Sequence, residues 1–252
     1  LPKFGKLGDL ASVDDPIVRS QGDVSFASYT GASLHILAGG SVTADSINIT
    51  GADTIGNSLQ APVILSDGKT VMAIDGNNIP TLDIRAGTTA WGTTGITGNM
   101  LGFLPNVPST AGNATTANIN IGSITNRGGT VLLTNQYQPN SNLTGSIQVS
   151  RINTSHPTQA GDITLDSKSN ITITNLVDAS TSQVVSTSGK VTLLAASNVS
   201  TINGADIDGR GGNGGGIKIQ AQNVDILEDS QVRVGIAPGL GFFGSQAGDI
   251  EI

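Results

Sequence analysis

The segment GADIDGR (204–210) places Asp206, Asp208 and Arg210 in a local acid/base cluster. Carboxylates that hold a divalent cation, with a basic residue beside them, can remove a proton next to an acidic substrate's carboxylate. Such a site needs carboxylates converging from several stretches of chain, and Asp-Gly is also ordinary turn chemistry. The stretch GRGGNGGG (209–216) offers backbone amides but lacks the Lys-Ser/Thr ending of a phosphate loop and the helix that should follow it. It also lacks the Asp of a calcium-binding nonapeptide repeat, so it reads as a turn. Asp75-Gly76-Asn77-Asn78 supplies oxygen ligands without the acidic spacing of an EF-hand loop.

Other reactive side chains are few. His35, between Leu34 and Ile36, is expected to face outward, and His156 precedes Pro157 in a turn; the two make no metal or haem site. There is no Cys to act as nucleophile and no Gly-x-Ser-x-Gly elbow. Trp91, the single Trp, could stack on a sugar or cover a flank of the fold, and Phe242-Phe243 could pack over an edge. Asn48, Asn113, Asn142, Asn153, Asn170 and Asn198 stand in Asn-x-Ser/Thr sequons and read as polar turn and strand composition. No catalytic, cofactor-binding or metal-binding residue is therefore assigned, and catalysis is not expected.

The elements that must carry these residues announce themselves by repetition. GDITLDSKSNITIT (161–174) is echoed 28 residues later by GKVTLLAASNVSTI (189–202). Apolar-polar-apolar triplets recur along the chain, among them Leu34-His35-Ile36, Ile47-Asn48-Ile49, Leu82-Asp83-Ile84, Ile119-Asn120-Ile121, Ile163-Thr164-Leu165, Val191-Thr192-Leu193, Val224-Asp225-Ile226 and Ile250-Glu251-Ile252. On a strand each triplet turns two apolar residues one way and mostly exposes the third. No stretch has helical apolar spacing with caps, so helix is expected to be nearly absent.

Strands this short cannot bury a face alone, but coils stacked on one another can. The expected fold is all-β, a right-handed parallel β-helix (solenoid) over 1–252 as a single segment of a longer chain. About nine to twelve coils would result from roughly 20–28 residues per coil if excursions are ignored. Ile163 and Val191 should occupy equivalent inward positions with Thr164 and Thr192 outside. The second strand is ambiguous, since Ile173 aligns with Thr201 while Ile202 supplies the apolar residue one step later. Excursions are expected at 61–79, where Asp67-Gly68 between apolar runs signals a hairpin, and at 86–116, which holds Trp91, Phe103 and Leu104.

Composition agrees. Gly numbers 34, aromatics are 3% and charged residues 12%, whereas disordered chains are usually charged and poor in β-branched residues. Large aromatics would wedge stacked coils apart. A net charge of −7 argues against nucleic acid, which needs a basic face. No apolar run reaches the roughly 20 residues of a membrane span.

Segments such as GDVSFASYTGASLHILAGGSV and SGKVTLLAASNVSTINGADIDGRGGNGGGIKIQAQNV resemble the filamentous haemagglutinin type of large exoprotein, and are similar to those of cyanobacteria. The resemblance implies a right-handed parallel β-helix, two-partner secretion through a dedicated outer-membrane transporter, a secreted or cell-surface location, and a role in adhesion or surface structure, with a surface glycan or protein receptor as partner. The family's secretion domain carries Asn-Pro-Asn-Gly and Asn-Ser-Asn-Gly stretches; neither occurs here, which places the segment downstream of that domain. Zero cysteines suit a chain exported unfolded. The alternative is a carbohydrate-active β-helix enzyme resembling the polysaccharide lyases. A lyase should gather several Asp with Lys or Arg in one groove, whereas a stalk should show neutral polar ladders.

Overall fold

A computed structural model describes residues 8–12, 17–55, 62–92, 114–183, 186–202, 204–213, 215–235 and 248–252. The expected features at Phe103, Leu104, Asn113 and Phe242-Phe243 lie outside the described residues.

The chain is all-β and lays strands alternately into two long sheets. Each return adds one tier. β1 (Leu10–Ser12) and β2 (Ile17–Ser20) form the first tier, β3 (Val24–Ala32) and β4 (Leu34–Ala38) the second. β5 (Val42–Gly51) opens the third; β6 (Val63–Ile64) and β7 (Val71–Met72) interrupt it, and β8 (Thr81–Arg85) completes it. Tiers four to six are β9 (Ile119–Thr125) with β10 (Thr130–Thr134), β11 (Ile147–Asn153) with β12 (Ile163–Ser167), and β13 (Ile171–Asp178) with β14 (Val191–Ala195). Tier seven holds β15 (Asn198–Thr201), β16 (Asp206–Arg210) and β17 (Ile217–Gln220). Tier eight holds β18 (Asn223–Ile226), β19 (Gln231–Gly235) and β20 (Ile250–Glu251).

The first sheet runs β1-β3-β5-β9-β11-β13-β15-β18, with β16 and β19 continuing beside β13; the second runs β2-β4-β8-β10-β12-β14-β17-β20. Every pairing in both sheets is parallel. The first part of β13 (Ile171 to Ile173) pairs with β15 and its last part (Leu176 to Asp178) with β16. Each long first-sheet strand therefore has two legs. This arrangement is compatible with a β-helix. The described residues form eight tiers, against the nine to twelve expected with excursions ignored, and the insertions take up chain between tiers.

Inward residues of both sheets meet in one core, in which Ile119, Ile147, Ile163, Ile171 and Val191 are fully buried. Burying each such side chain stabilises by about 1.5–3 kcal/mol relative to exposure. Ile163 pairs with Val191 on adjacent tiers, as the sequence predicts. The ambiguous position resolves in favour of Thr201, which pairs with Ile173 and is buried. Its hydroxyl accepts the Leu227 amide at 3.2 Å, so the polar atom is satisfied.

Two small-residue columns hold the tiers in register. A Cβ on Gly161 would lie 1.8 Å from the Gly129 carbonyl oxygen, and one on Gly189 2.0 Å from that of Gly161. Only glycine permits that backbone approach, which is why the repeat opens on it. At the corner before each first-sheet strand, a side-chain oxygen of one tier accepts a hydrogen bond from the next. Asp23 takes the Ser41 amide at 2.7 Å, Ser41 the Asn118 amide at 3.0 Å, and Asn118 the Ser146 amide at 2.9 Å. Ser146 takes the Asn170 amide at 3.4 Å, and Asn170 the Asn198 amide at 3.2 Å.

The 61–79 excursion forms the expected antiparallel hairpin, with Gly68 at φ 67° in its turn. It folds back on the outer face of the second sheet, where Val63, Leu65, Met72 and Ile74 pack on Leu132 and Leu194. Of the 86–116 excursion, the described part begins with a 3-10 turn (Thr89–Gly92) whose Trp91 packs on Ile17 and Leu37. The outer face of the second sheet is thus covered over tiers two to six, and the expectation that its polar strand residues are exposed needs correcting. His35 and Asp83 point away from the core but are fully buried, and Thr164 and Thr192 face outward without being exposed.

Candidate functional site

Three groups of polar side chains stand out, and each is fixed by strand register. The first lies on the second leg of the first sheet, in tiers six to eight. Asp178, Asp208 and Arg233 are consecutive partners across β13, β16 and β19, while Asp206 pairs with Gln231. Alternate residues of a strand share a face, so Asp206, Asp208 and Arg210 stand together on β16. Arg210 grips Asp208 through Nε at 3.0 Å and Nη2 at 2.5 Å. Arg233 Nη1 lies 3.0 Å from Asp206 and 3.8 Å from Asp208. The hydrogen bond to Asp208 raises the Arg210 pKa above its usual value, more than burial lowers it. The Asp178 carboxylate accepts the Ser180 amide at 2.9 Å. The carboxylates do converge from more than one tier, but guanidinium groups take Asp206 and Asp208, and Asp178 accepts the Ser180 amide. A carboxylate whose oxygens are taken by a guanidinium is a poor cation ligand.

The second group was hidden from sequence reasoning. Arg85 Nε and Nη2 hold Asp83 at 2.9 and 2.7 Å, and His35 Nδ1 meets the same carboxylate at 3.1 Å. The Arg85 guanidinium also stacks 4.2 Å from the centre of the Tyr137 ring. All three side chains have 0% exposure. Burial by itself would raise the Asp83 pKa, but Arg85 and His35 outweigh it and hold the group at about 2. Burial lowers and Asp83 raises the Arg85 pKa, with a net upward shift. A His–Asp pair is a familiar base arrangement, yet no substrate reaches a site sealed from solvent.

The third group joins the hairpin to the second sheet. Asp166 accepts the Ser66 amide at 3.1 Å and meets the Ser66 hydroxyl at 2.5 Å. Lys218 Nζ donates to Asp67 at 3.1 Å, and Asp67 also accepts the Lys69 and Thr70 amides and the Thr70 hydroxyl. Burial pushes the Asp166 pKa up. At Asp67 the hydrogen bonds from Thr70, Lys69 and Lys218 overcome burial and hold the carboxyl well below its usual range.

The remaining candidates stay apart. His156 sits in its turn, where Nδ1 accepts the Thr158 amide at 3.4 Å, and it does not meet His35. Asp75 closes its own turn by accepting Asn78 Nδ2 at 2.8 Å. In the glycine stretch the Gly212 and Gly215 amides donate to Ser186 and Ser188, so these amides serve neighbouring tiers rather than an anion. Of the sequons, Asn170 and Asn198 belong to the corner ladder, and Asn153 Oδ1 accepts the Ser155 amide. Among the described residues no group of three or more His, Cys, Asp or Glu could hold a metal ion. Among them, too, no helix is long and apolar enough to cross a membrane.

The outer face of the first leg is different in kind. Ser25, Thr43, Asn120, Gln148, Thr172 and Ser200 follow one another tier by tier as a neutral polar column, ending at Asp225. No protein family, curated protein or solved structure matches the chain.

Proposed function

We propose that this chain is a structural and adhesive segment of a secreted or cell-surface exoprotein of the filamentous haemagglutinin type, wound as a right-handed parallel β-helix. The neutral polar column from Ser25 to Ser200 carries this reading. Such a face is solvated tier after tier and presents repeated hydrogen-bonding groups to a glycan or protein receptor, without concentrating reactive charge. A tiered body also spreads a modest chain over a long surface. The zero cysteine count supports passage, unfolded, through an outer-membrane two-partner secretion transporter. The protein acts by holding and presenting surface and is not an enzyme.

A second reading, a carbohydrate-active β-helix enzyme, draws on the gathering of Asp178, Asp206, Asp208, Arg210 and Arg233 on one face. One experiment separates the two. Beads coated with the chain are assayed for binding to a panel of glycans and matrix proteins, while the soluble chain is assayed for ultraviolet-absorbing product on uronic-acid polysaccharides. Binding without turnover is the expected result. Turnover that disappears in Asp208→Asn would replace the adhesive reading with the enzymatic one.

A further inference from the structure

We propose that the 63–74 hairpin is an acid-tightened strap, whose docking on the second sheet is coupled to uptake of one proton by Asp166. This inference does not rest on the adhesive reading. Its starting point is a charge imbalance in the seam. The hairpin brings Asp67 down beside Asp166, so two carboxyl groups share one interface. The ammonium of Lys218 goes to Asp67, which has three further donors. Asp166 is buried, and no cation among the described residues pairs with it. Its polar neighbours are Ser66 on the hairpin and Thr134 on β10, both uncharged. Lys69 lies in the hairpin turn, and the Lys168 ammonium is taken by the Asn140 and Leu143 carbonyls. Arg85, two tiers away in the same outward column, is bound to Asp83.

The contacts suit a neutral carboxyl. A protonated Oδ1 can donate to the Ser66 hydroxyl while Oδ2 still accepts the Ser66 amide, so no hydrogen bond is lost. An ionised Asp166 keeps those contacts but adds an uncompensated charge at a buried position next to Asp67, which is costly. The direction of its pKa shift, upward through burial and through Asp67, agrees. The sign follows. A group that binds its proton more tightly when docked favours docking at low pH, and that advantage is lost as pH rises through its docked pKa. Asp67, whose pKa lies well below the usual carboxylate range, stays ionised throughout this window. A two-stranded hairpin has little stability of its own, so loosening of the seam should free it as a unit and bare Leu132, Thr164, Thr192 and Leu194.

The test is amide hydrogen exchange of the whole chain at pH 4.5 and 7.5, read by mass spectrometry and corrected for intrinsic rates. Protection over 63–74 should be higher at pH 4.5 than at pH 7.5, because the docked Asp166 binds its proton more tightly than the released one, while β11 and β13 change little. Asp166→Asn should hold the strap equally at both values. Asp67→Asn, by removing the neighbouring charge, should move the transition to lower pH. Equal wild-type protection at both values would overturn the proposal. So would a pH step that survives in Asp166→Asn, or loosening of β11 and β13 together with the hairpin.

Discussion

Asp83–Arg85 and Asp208–Arg210 are the same device in two settings. In each, an arginine two residues along the strand reaches back and closes Nε and Nη2 on the carboxylate. The first pair lies on the second sheet at 0% exposure for both side chains, with a histidine on its far side. The second lies on the first sheet, with Arg210 31% exposed and Asp208 9%. Local geometry is nearly identical, so the difference in energy comes from what covers each sheet. Insertions clothe the outer face of the second sheet, whereas the first sheet's outer face carries its side chains to solvent.

Replacing the arginine tests this most severely. Arg85→Met should destabilise the fold by about 3–5 kcal/mol in urea unfolding, because it strands a buried carboxylate. A loss under about 1 kcal/mol would mean that the cover over the second sheet is loose. Acid should find the same pair. Asp83 has a folded pKa near 2, below its unfolded value, so its stabilisation is present above about pH 4 and is lost as pH falls through 2. The amount is on the order of 2 kcal/mol, and unfolding midpoints between pH 4.5 and 2 should show it in the wild type but not in Asp83→Asn.

Two smaller substitutions sharpen the contrast. Thr164→Ala removes a methyl and a hydroxyl from under the hairpin and should cost about 1 kcal/mol. Thr172→Ala, on the open first sheet, should stay within about 0.5 kcal/mol. Equal effects in thermal unfolding would erase the distinction between the two outer faces. Arg210→Met should also have a small effect, at about 0–1 kcal/mol, as for other partly exposed ion pairs. Adding salt should shrink that difference further, while leaving the Arg85→Met effect nearly intact.

The contrast also explains what could be read from the sequence. The core columns were legible because period-two alternation forces Ile163 and Val191 to the same side wherever the strands lie. Asp67-Gly68 betrayed its hairpin through turn chemistry alone. Where that hairpin docks was not legible, since its contacts with Asp166 and Lys218 span 100 and 151 residues. A polar residue between two apolar ones reads as exposed on either sheet, so the outward direction of His35, Asp83 and Thr164 is legible but their burial is not. One signal pointed the other way. Leu37, Leu132 and Leu194 break the alternation by putting leucine at outward positions of the second sheet, which makes sense only beneath a cover. The Asp206, Asp208 and Arg210 cluster was visible as a sequence-local group, but Arg233 and Asp178 joined it only through register.

The corner ladder has a mechanical consequence. Each link from Asp23 to Asn198 joins one tier to the next, so the bonds lie in series along the stack. A pull from end to end loads every junction equally, and the weakest one sets the breaking force. After Asn198 the corner link changes character: the side-chain amide of Asn223 donates to Asn198 at 2.9 Å, while its backbone amide goes to the Ser197 carbonyl at 3.1 Å. That bond hangs on a rotatable side chain and yields before a backbone link does. Tiers seven and eight are also joined by pairing of β15 with β18, β16 with β19 and β17 with β20, but the last tier buries little of its side-chain surface, so under tension the stack should come apart first at that end.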